Sequence, residues 1–311
     1  MPDSRADRPT RGAGPAALAR AWLGTLARLV LFGLIYVPLA TIVAVLIHPL
    51  IQSEPARLAG NGLASLVGAL VAGAVVLRSL ERRSWRALGI APDRAALRYT
   101  AVGLGFGLAM IAATVLLMAA SGDLRFRPDA GSAADATLAA AAGLAVFTPL
   151  AAAEEALFRG YPIQTLARTG GVPLAILTTS TAFAAIHGNN PNVDRLALVN
   201  IFLAGVLLAV VYFRTASLWA ATAVHLGWNW GMGALFDLPI SGYAWIDVPA
   251  LEPVLTGPAW WNGGAFGPEG GVIGTIVFVG ATVFALRTPW LGRPADADPR
   301  ATPLHERVSG D

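Results

Sequence analysis

The chain has no cysteine and no lysine. The first absence rules out disulfides and thiolate metal sites, and leaves cysteine usage silent about the redox compartment. The second makes arginine the carrier of all 22 positive charges. Charge of either sign is scarce, at 13% of 311 residues against 55% hydrophobic, where a soluble domain carries roughly a quarter. Mean hydropathy is +0.60. These values exclude two soluble domains and point to one polytopic membrane domain. The isoelectric point near 9.8 does not make nucleic acid a partner, because the arginines are scattered at segment ends and form no dense basic face. No internal repeat is evident, so an inverted-repeat transporter gains no support.

What is present is a series of long apolar runs. Eight reach the roughly 20 residues needed to cross a ~30 Å hydrocarbon core: 22–48, 60–79, 100–120, 137–158, 172–188, 196–213, 216–236 and 270–287. Continuous runs, without the alternation of barrel strands, predict an all-α polytopic transmembrane bundle of about eight helices. Residues 1–21 are polar and arginine-bearing, 22–287 form the membrane domain, and 288–311 read as a disordered tail. Arginines crowd the N-terminus, the second connection (Arg78, Arg82, Arg83, Arg86, Arg94, Arg98) and the tail, while the opposite side holds Arg57, Arg125, Arg127 and Arg195. The positive-inside rule therefore places both termini in the cytoplasm, for an integral protein expected in a prokaryotic inner membrane. The connection 237–269 has acids, no arginine, and the aromatics Tyr243, Trp245, Trp260, Trp261 and Phe266. It reads as an outer interfacial belt with flexible turns rather than as a substrate lid.

Three polar clusters interrupt the apolar runs: Glu154-Glu155-Ala-Leu-Phe-Arg159, Phe183-Ala-Ala-Ile-His187 and His225-Leu-Gly-Trp-Asn229. Ionisable groups inside hydrocarbon are costly and mark function. Glu155 and Arg159, Phe183 and His187, and His225 and Asn229 are each four apart, so each pair shares a helix face. Peptide hydrolysis needs a base to activate water, a group to orient it, and donors for the oxyanion. One Glu suits the base, with the other held ionised by Arg159; His187 suits the shared water; His225 and Asn229 suit the oxyanion. One carboxylate and two imidazoles (Glu154, His187, His225) are equally a three-ligand catalytic zinc set, so a metal cofactor stays open on the same atoms. Blander readings exist: a helix-end ion pair for Glu155 and Arg159, and a loop histidine for His187, which precedes the turn-rich Gly188-Asn189-Asn190-Pro191.

The three motifs, in this order on successive spans, resemble the CAAX prenyl-endopeptidase-like family, the CPBP or ABI-type intramembrane proteases, marked by EExxxR, FxxxH and HxxxN. The resemblance covers roughly residues 137–236, with no position of the pattern missing. It implies a bundle with a polar cavity, catalytic roles for Glu154, His187, His225 and Asn229, and supporting roles for Glu155, Arg159 and Phe183. The expected activity is an intramembrane endopeptidase acting on a membrane-associated or lipidated peptide or protein. The alternative is a non-catalytic transporter or scaffold using the same groups as a proton or ion path. The partners expected are a membrane peptide substrate and the bilayer; oligomeric state is not readable.

Depth tests convergence. Along ideal helices Glu154 lies ~26 Å from an outer start at Thr137, and His187 ~22 Å from an inner start at Val172. The two meet only if each helix begins about five residues outside the hydrocarbon and 188–195 lines a wet cavity.

Overall fold

The computed structural model describes residues 14–249 and 251–292. Residues 1–13 of the expected N-terminal segment and 293–311 of the expected tail lie outside the described residues. The helices are α1 Pro15–Ile47, α2 Glu54–Leu80, α3 Arg94–Ala120, α4 Ala133–Glu155, α5 Tyr161–Gly170, α6 Val172–Ile186, α7 Arg195–Thr215, α8 Leu218–Trp230, α9 Ala259–Asn262 and α10 Val272–Arg287. Wide π turns follow α4 at Ala156–Gly160 and α8 at Gly231–Leu235. Strands β1 Leu124–Pro128 and β2 Leu251–Leu255 pair antiparallel, with Arg127 opposite Glu252.

Each expected span contains a helix, and the protein is an all-α polytopic membrane bundle. Five stretches are long and apolar enough to cross a membrane: Pro15–Leu50, Glu54–Leu80, Arg94–Ala120, Ala133–Gly170 and Arg195–Thr215. The helices α6, α8 and α10 are shorter, at 15, 13 and 16 residues. Most of α8 is buried by α3, α4 and α7, so it has little contact with lipid and no need to span it. Large apolar side chains instead crowd the outer surface of α1, where Leu23, Val30, Leu34 and Leu46 are all exposed, an outward apolar face suited to acyl chains. Helix α1 also starts seven residues before the expected Trp22, and the turn at Pro289–Leu291 buries Leu291 beyond the expected last span.

Chain direction sorts the connections into two ends. The segments 121–132, 187–194 and 236–271, with both strands, lie at one; 81–93, 216–217 and 288–292 lie at the other. This second end gathers the arginines. Arg214 caps the Leu286 and Thr288 carbonyls at 2.5 and 2.7 Å, and Arg98 that of Trp290 at 3.1 Å. Arg28, which lies within the first expected span, meets Glu81 at 3.0 Å. Arg168 clamps the same carboxylate through both terminal nitrogens, at 2.5 and 2.8 Å. Burial would raise the Glu81 carboxyl, but these two guanidiniums and Tyr161 outweigh it and hold it below the usual range.

Helices α3 and α8 cross closely, with Gly107 on one meeting Gly227 on the other and Gly103 packed against Ala220, Ala223 and Val224. A Cβ at Gly107 would stand 2.2 Å from the Val224 carbonyl oxygen, and one at Gly227 2.5 Å from that of Leu104. Small residues one turn apart let backbones touch, the usual device of membrane helices. They bring α8, the carrier of His225 and Asn229, into the centre.

Two outcomes follow from these packing and charge relations. Gly107→Val, which must push α8 away, is expected to destabilise by about 1–3 kcal/mol or more and to lower the melting temperature of the purified protein in detergent; an unchanged melt contradicts the close crossing. Asp237, half-buried beyond α8, accepts from Val248 N–H at 3.1 Å. Burial first, then repulsion by Asp247, Asp129 and Glu252, push its carboxyl up to about 6. A carboxyl whose folded pKa is raised destabilises the fold while ionised, and that penalty disappears as pH falls through about 6. Asp237→Asn should therefore raise the melting temperature at pH 7.5 by on the order of 1–3 °C, with the gain lost near pH 4.5; a gain equal at both pH values contradicts it.

Candidate active site

The site begins where α4 stops being an α-helix. Pro162, in the first turn of α5, has no N–H to give the carbonyl four residues back, and the chain answers with the π turn Ala156–Gly160 directly after Glu155. Inside that turn Arg159 donates from Nη1 to Glu155 Oε1 at 3.0 Å and from Nη2 to the Gly205 carbonyl of α7 at 3.0 Å. Both side chains are fully buried. The guanidinium carbon lies 4.6 Å from the centre of the Phe183 ring, so α6 covers the charge with an aromatic face.

Glu155 Oε1 also accepts from His225 Nδ1 at 3.0 Å. A carboxylate can only accept, so Nδ1 carries the proton and Nε2 is turned the other way. There it faces Glu154 Oε2 at 3.8 Å, too far for a direct hydrogen bond. Glu154 Oε2 is itself buried with no hydrogen-bond partner among the described residues. His187 Nδ1 lies 2.7 Å from the Phe183 carbonyl. Because a carbonyl only accepts, that nitrogen carries a proton, and in the neutral tautomer Nε2 is the ring's acceptor.

Glu154, His187, His225 and Asn229 line one cavity of about 210 Å³. The two adjacent glutamates are thus separated by environment: Glu155 is locked under the floor, and Glu154, about 30% exposed, opens into the space. Phe183 is buried against both imidazoles, its ring centre 4.9 Å from that of His187 and 6.0 Å from that of His225. The depth mismatch resolves through α5, which the sequence reading had not separated as a helix. The π turn and α5 descend about 20 Å below Glu155, Gly171 (φ 82°) reverses the chain, and the 15 residues of α6 climb back about 22 Å to His187.

Sequence reasoning missed the wall facing these groups. Ser241, Tyr243, Trp245 and Glu269, from the connection between α8 and α10, line the same cavity, as does Asn190 from the turn after His187. Tyr243 and Trp245 stack at 4.7 Å between ring centres, which corrects the belt reading for these two; Trp260, 60% exposed, stays at the surface. The signal available was Glu269, a lone acid in a glycine-rich apolar run. Among the described residues no group of three or more His, Cys, Asp or Glu side chains is disposed to hold a metal ion. Glu154, His187 and His225 do not form such a set, with Phe183 packed against both imidazoles, and no step below is routed through a metal.

Residues 135–231 match the family model described as type II CAAX prenyl endopeptidase, Rce1-like. All three motifs fall inside the match, which takes in α5 to α8 and all but the first two residues of α4 and supports the resemblance to CAAX-protease-like CPBP proteins. No curated protein and no solved structure matches the chain.

Replacing one partner of a buried ion pair leaves an uncompensated charge, so Arg159→Leu is expected to cost about 3–5 kcal/mol. The double variant Glu155→Gln with Arg159→Leu should recover part of that loss, since no charge is then stranded. Unfolding in mixed micelles measures both; a single variant as stable as the parent would remove Glu155–Arg159 as the keystone of the site.

Proposed function

We propose that this chain is an intramembrane endopeptidase in which Glu154 and His187 activate a water and His225 and Asn229 stabilise the oxyanion. One observation carries the reading: four side chains from three helical segments line one cavity, with Glu154 Oε2 free of hydrogen bonds 3.8 Å from His225 Nε2. In that space Glu154 takes a proton from water, with the His187 Nε2 lone pair holding the same molecule. The hydroxide oxygen bonds to the peptide carbonyl carbon, and the carbonyl π pair moves to oxygen. Asn229 Nδ2 and, when it carries both protons, His225 Nε2 donate to that oxyanion. Collapse re-forms the carbonyl and breaks the C–N bond, and Glu154 returns its proton to the leaving amine. Glu155 holds His225 through Nδ1, and Arg159 holds Glu155.

The substrate class we propose follows the family match: a prenylated or otherwise lipid-anchored peptide segment of a membrane protein. Phe147, Leu150, Ile186 and Trp245 give the cavity an apolar side for such a chain. The arginine-rich end of the bundle, with 81–93 and 288–292, faces the cytoplasm in this reading.

Glu154→Gln is expected to lower kcat by roughly 10²–10⁴-fold and Asn229→Ala by roughly 10²–10³-fold, both measured on a lipidated peptide with protein in detergent or liposomes. Full activity in Glu154→Gln would overturn the assigned base. Metal analysis of the same preparation is expected to find substoichiometric zinc. A tightly held equivalent, lost together with activity in His187→Ala, would instead restore the set Glu154, His187 and His225.

A further inference from the structure

A second buried carboxylate lies in the cavity wall, and the chemistry above does not use it. Glu269, only 4% exposed, precedes α10. Its Oε1 accepts from the indole N–H of Trp228 at 2.8 Å, and its Oε2 accepts from Ser241 N–H at 2.9 Å and Ser241 O–H at 2.6 Å. No cation is among these partners; three donors satisfy the charge. The backbone beside it is fixed independently, because Asn200 of α7 donates from Nδ2 to the Glu269 and Gly271 carbonyls, both at 2.8 Å.

Each donor leads to a catalytic element. Trp228 stands on α8 between His225 and Asn229, next to Asn229 in sequence. Ser241, held at φ 48°, offers its carbonyl to Asn190 Nδ2 at 2.9 Å, and Asn190 lies three residues after His187. Gly242 presses on the same turn: a Cβ there would meet the Pro191 carbonyl oxygen at 2.0 Å. The chain Asn190, Ser241, Glu269, Trp228 is therefore a continuous hydrogen-bonded strut from the turn after His187 to the helix carrying His225 and Asn229. A buried carboxylate without a cation is costly unless every donor is aligned, which makes the strut stiff.

We infer that Glu269 is a positioning residue, whose carboxylate, through Ser241 and Trp228, fixes the spacing between His187 and the oxyanion donors of α8. The catalytic part of this inference rests on the proposed function; the mechanical part does not. Glu269→Gln can no longer accept at both oxygens, whereas Trp228→Phe deletes a single donor and keeps an aromatic ring against Phe278 (4.9 Å between ring centres).

The test combines amide hydrogen exchange with kinetics on the full chain in detergent. In Glu269→Gln and in Trp228→Phe, exchange should rise roughly tenfold at 188–194 and 238–243 together, with α3 unchanged. On a lipidated peptide, kcat should fall by roughly tenfold or more with KM within about twofold, because the strut sets transition-state geometry and leaves ground-state binding alone. If exchange rises only at 238–243, or in neither segment, the strut does not reach the His187 turn and the inference is overturned. A KM effect with kcat unchanged overturns its catalytic half. Failure of the proposed function would appear differently, as a parent protein with no peptidase activity, and the exchange result would still decide the mechanical claim. Global unfolding of Glu269→Gln leaves Trp228→Phe to decide on the same criteria.

Discussion

The structure depends on one constraint: a carboxylate, Glu155, buried completely and made tolerable by two donors from different helices. Arg159 supplies the charge and His225 a ring N–H, both at 3.0 Å. Desolvating a carboxylate without such partners costs several kcal/mol, so any arrangement that separated α4 from α8 would be penalised steeply. Arg159 extends the same obligation to α7 through the Gly205 carbonyl, and Phe183 brings α6 across the guanidinium. Four helices are thereby committed to one point in the membrane. Both donors reach Oε1, while Glu155 Oε2 has no hydrogen-bond partner among the described residues, and Glu154, His187 and Asn229 line the cavity beside it.

The backbone supplies the geometry that this constraint demands. Glycines on α3 and α8 allow a crossing close enough to bury a 13-residue helix inside the bundle. The π turn after Glu155 and the reversal at Gly171 make α4, α5 and α6 a descent and return, so that residues 33 apart in sequence reach the same level. A polar connection then folds over the cavity, with Ser241 and Glu269 hydrogen-bonded into the helices below instead of lying along the membrane surface.

Much of this was legible in the residues. Hydropathy located a helix within all eight expected spans, since apolar length is close to sufficient for a membrane helix. The i, i+4 spacing located the Glu155–Arg159 pair, because a helix surface makes such neighbours wherever it occurs. What stayed hidden was set by tertiary context. Breaking Tyr161–Gly170 away as α5 needs the consequence of Pro162 for a helix already under way, and hydropathy averages over it. Tyr243 and Trp245 carry the composition of an interfacial belt, and only the fold directs them inward. Glu269 has no periodic partner: its donors lie 28 and 41 residues away, beyond the reach of any local pattern.

Convergence of Glu154 and His225 in one cavity is the central claim, and the absence of native cysteine allows it to be tested without background. With Glu154→Cys and His225→Cys combined in the full chain in liposomes, a short bifunctional thiol reagent such as dibromobimane should join the two residues in most molecules, as expected for side chains whose atoms approach to 3.8 Å. Two cysteines that each react singly with a monofunctional reagent yet never crosslink would contradict the convergence, and with it the reading of the cavity as a catalytic site.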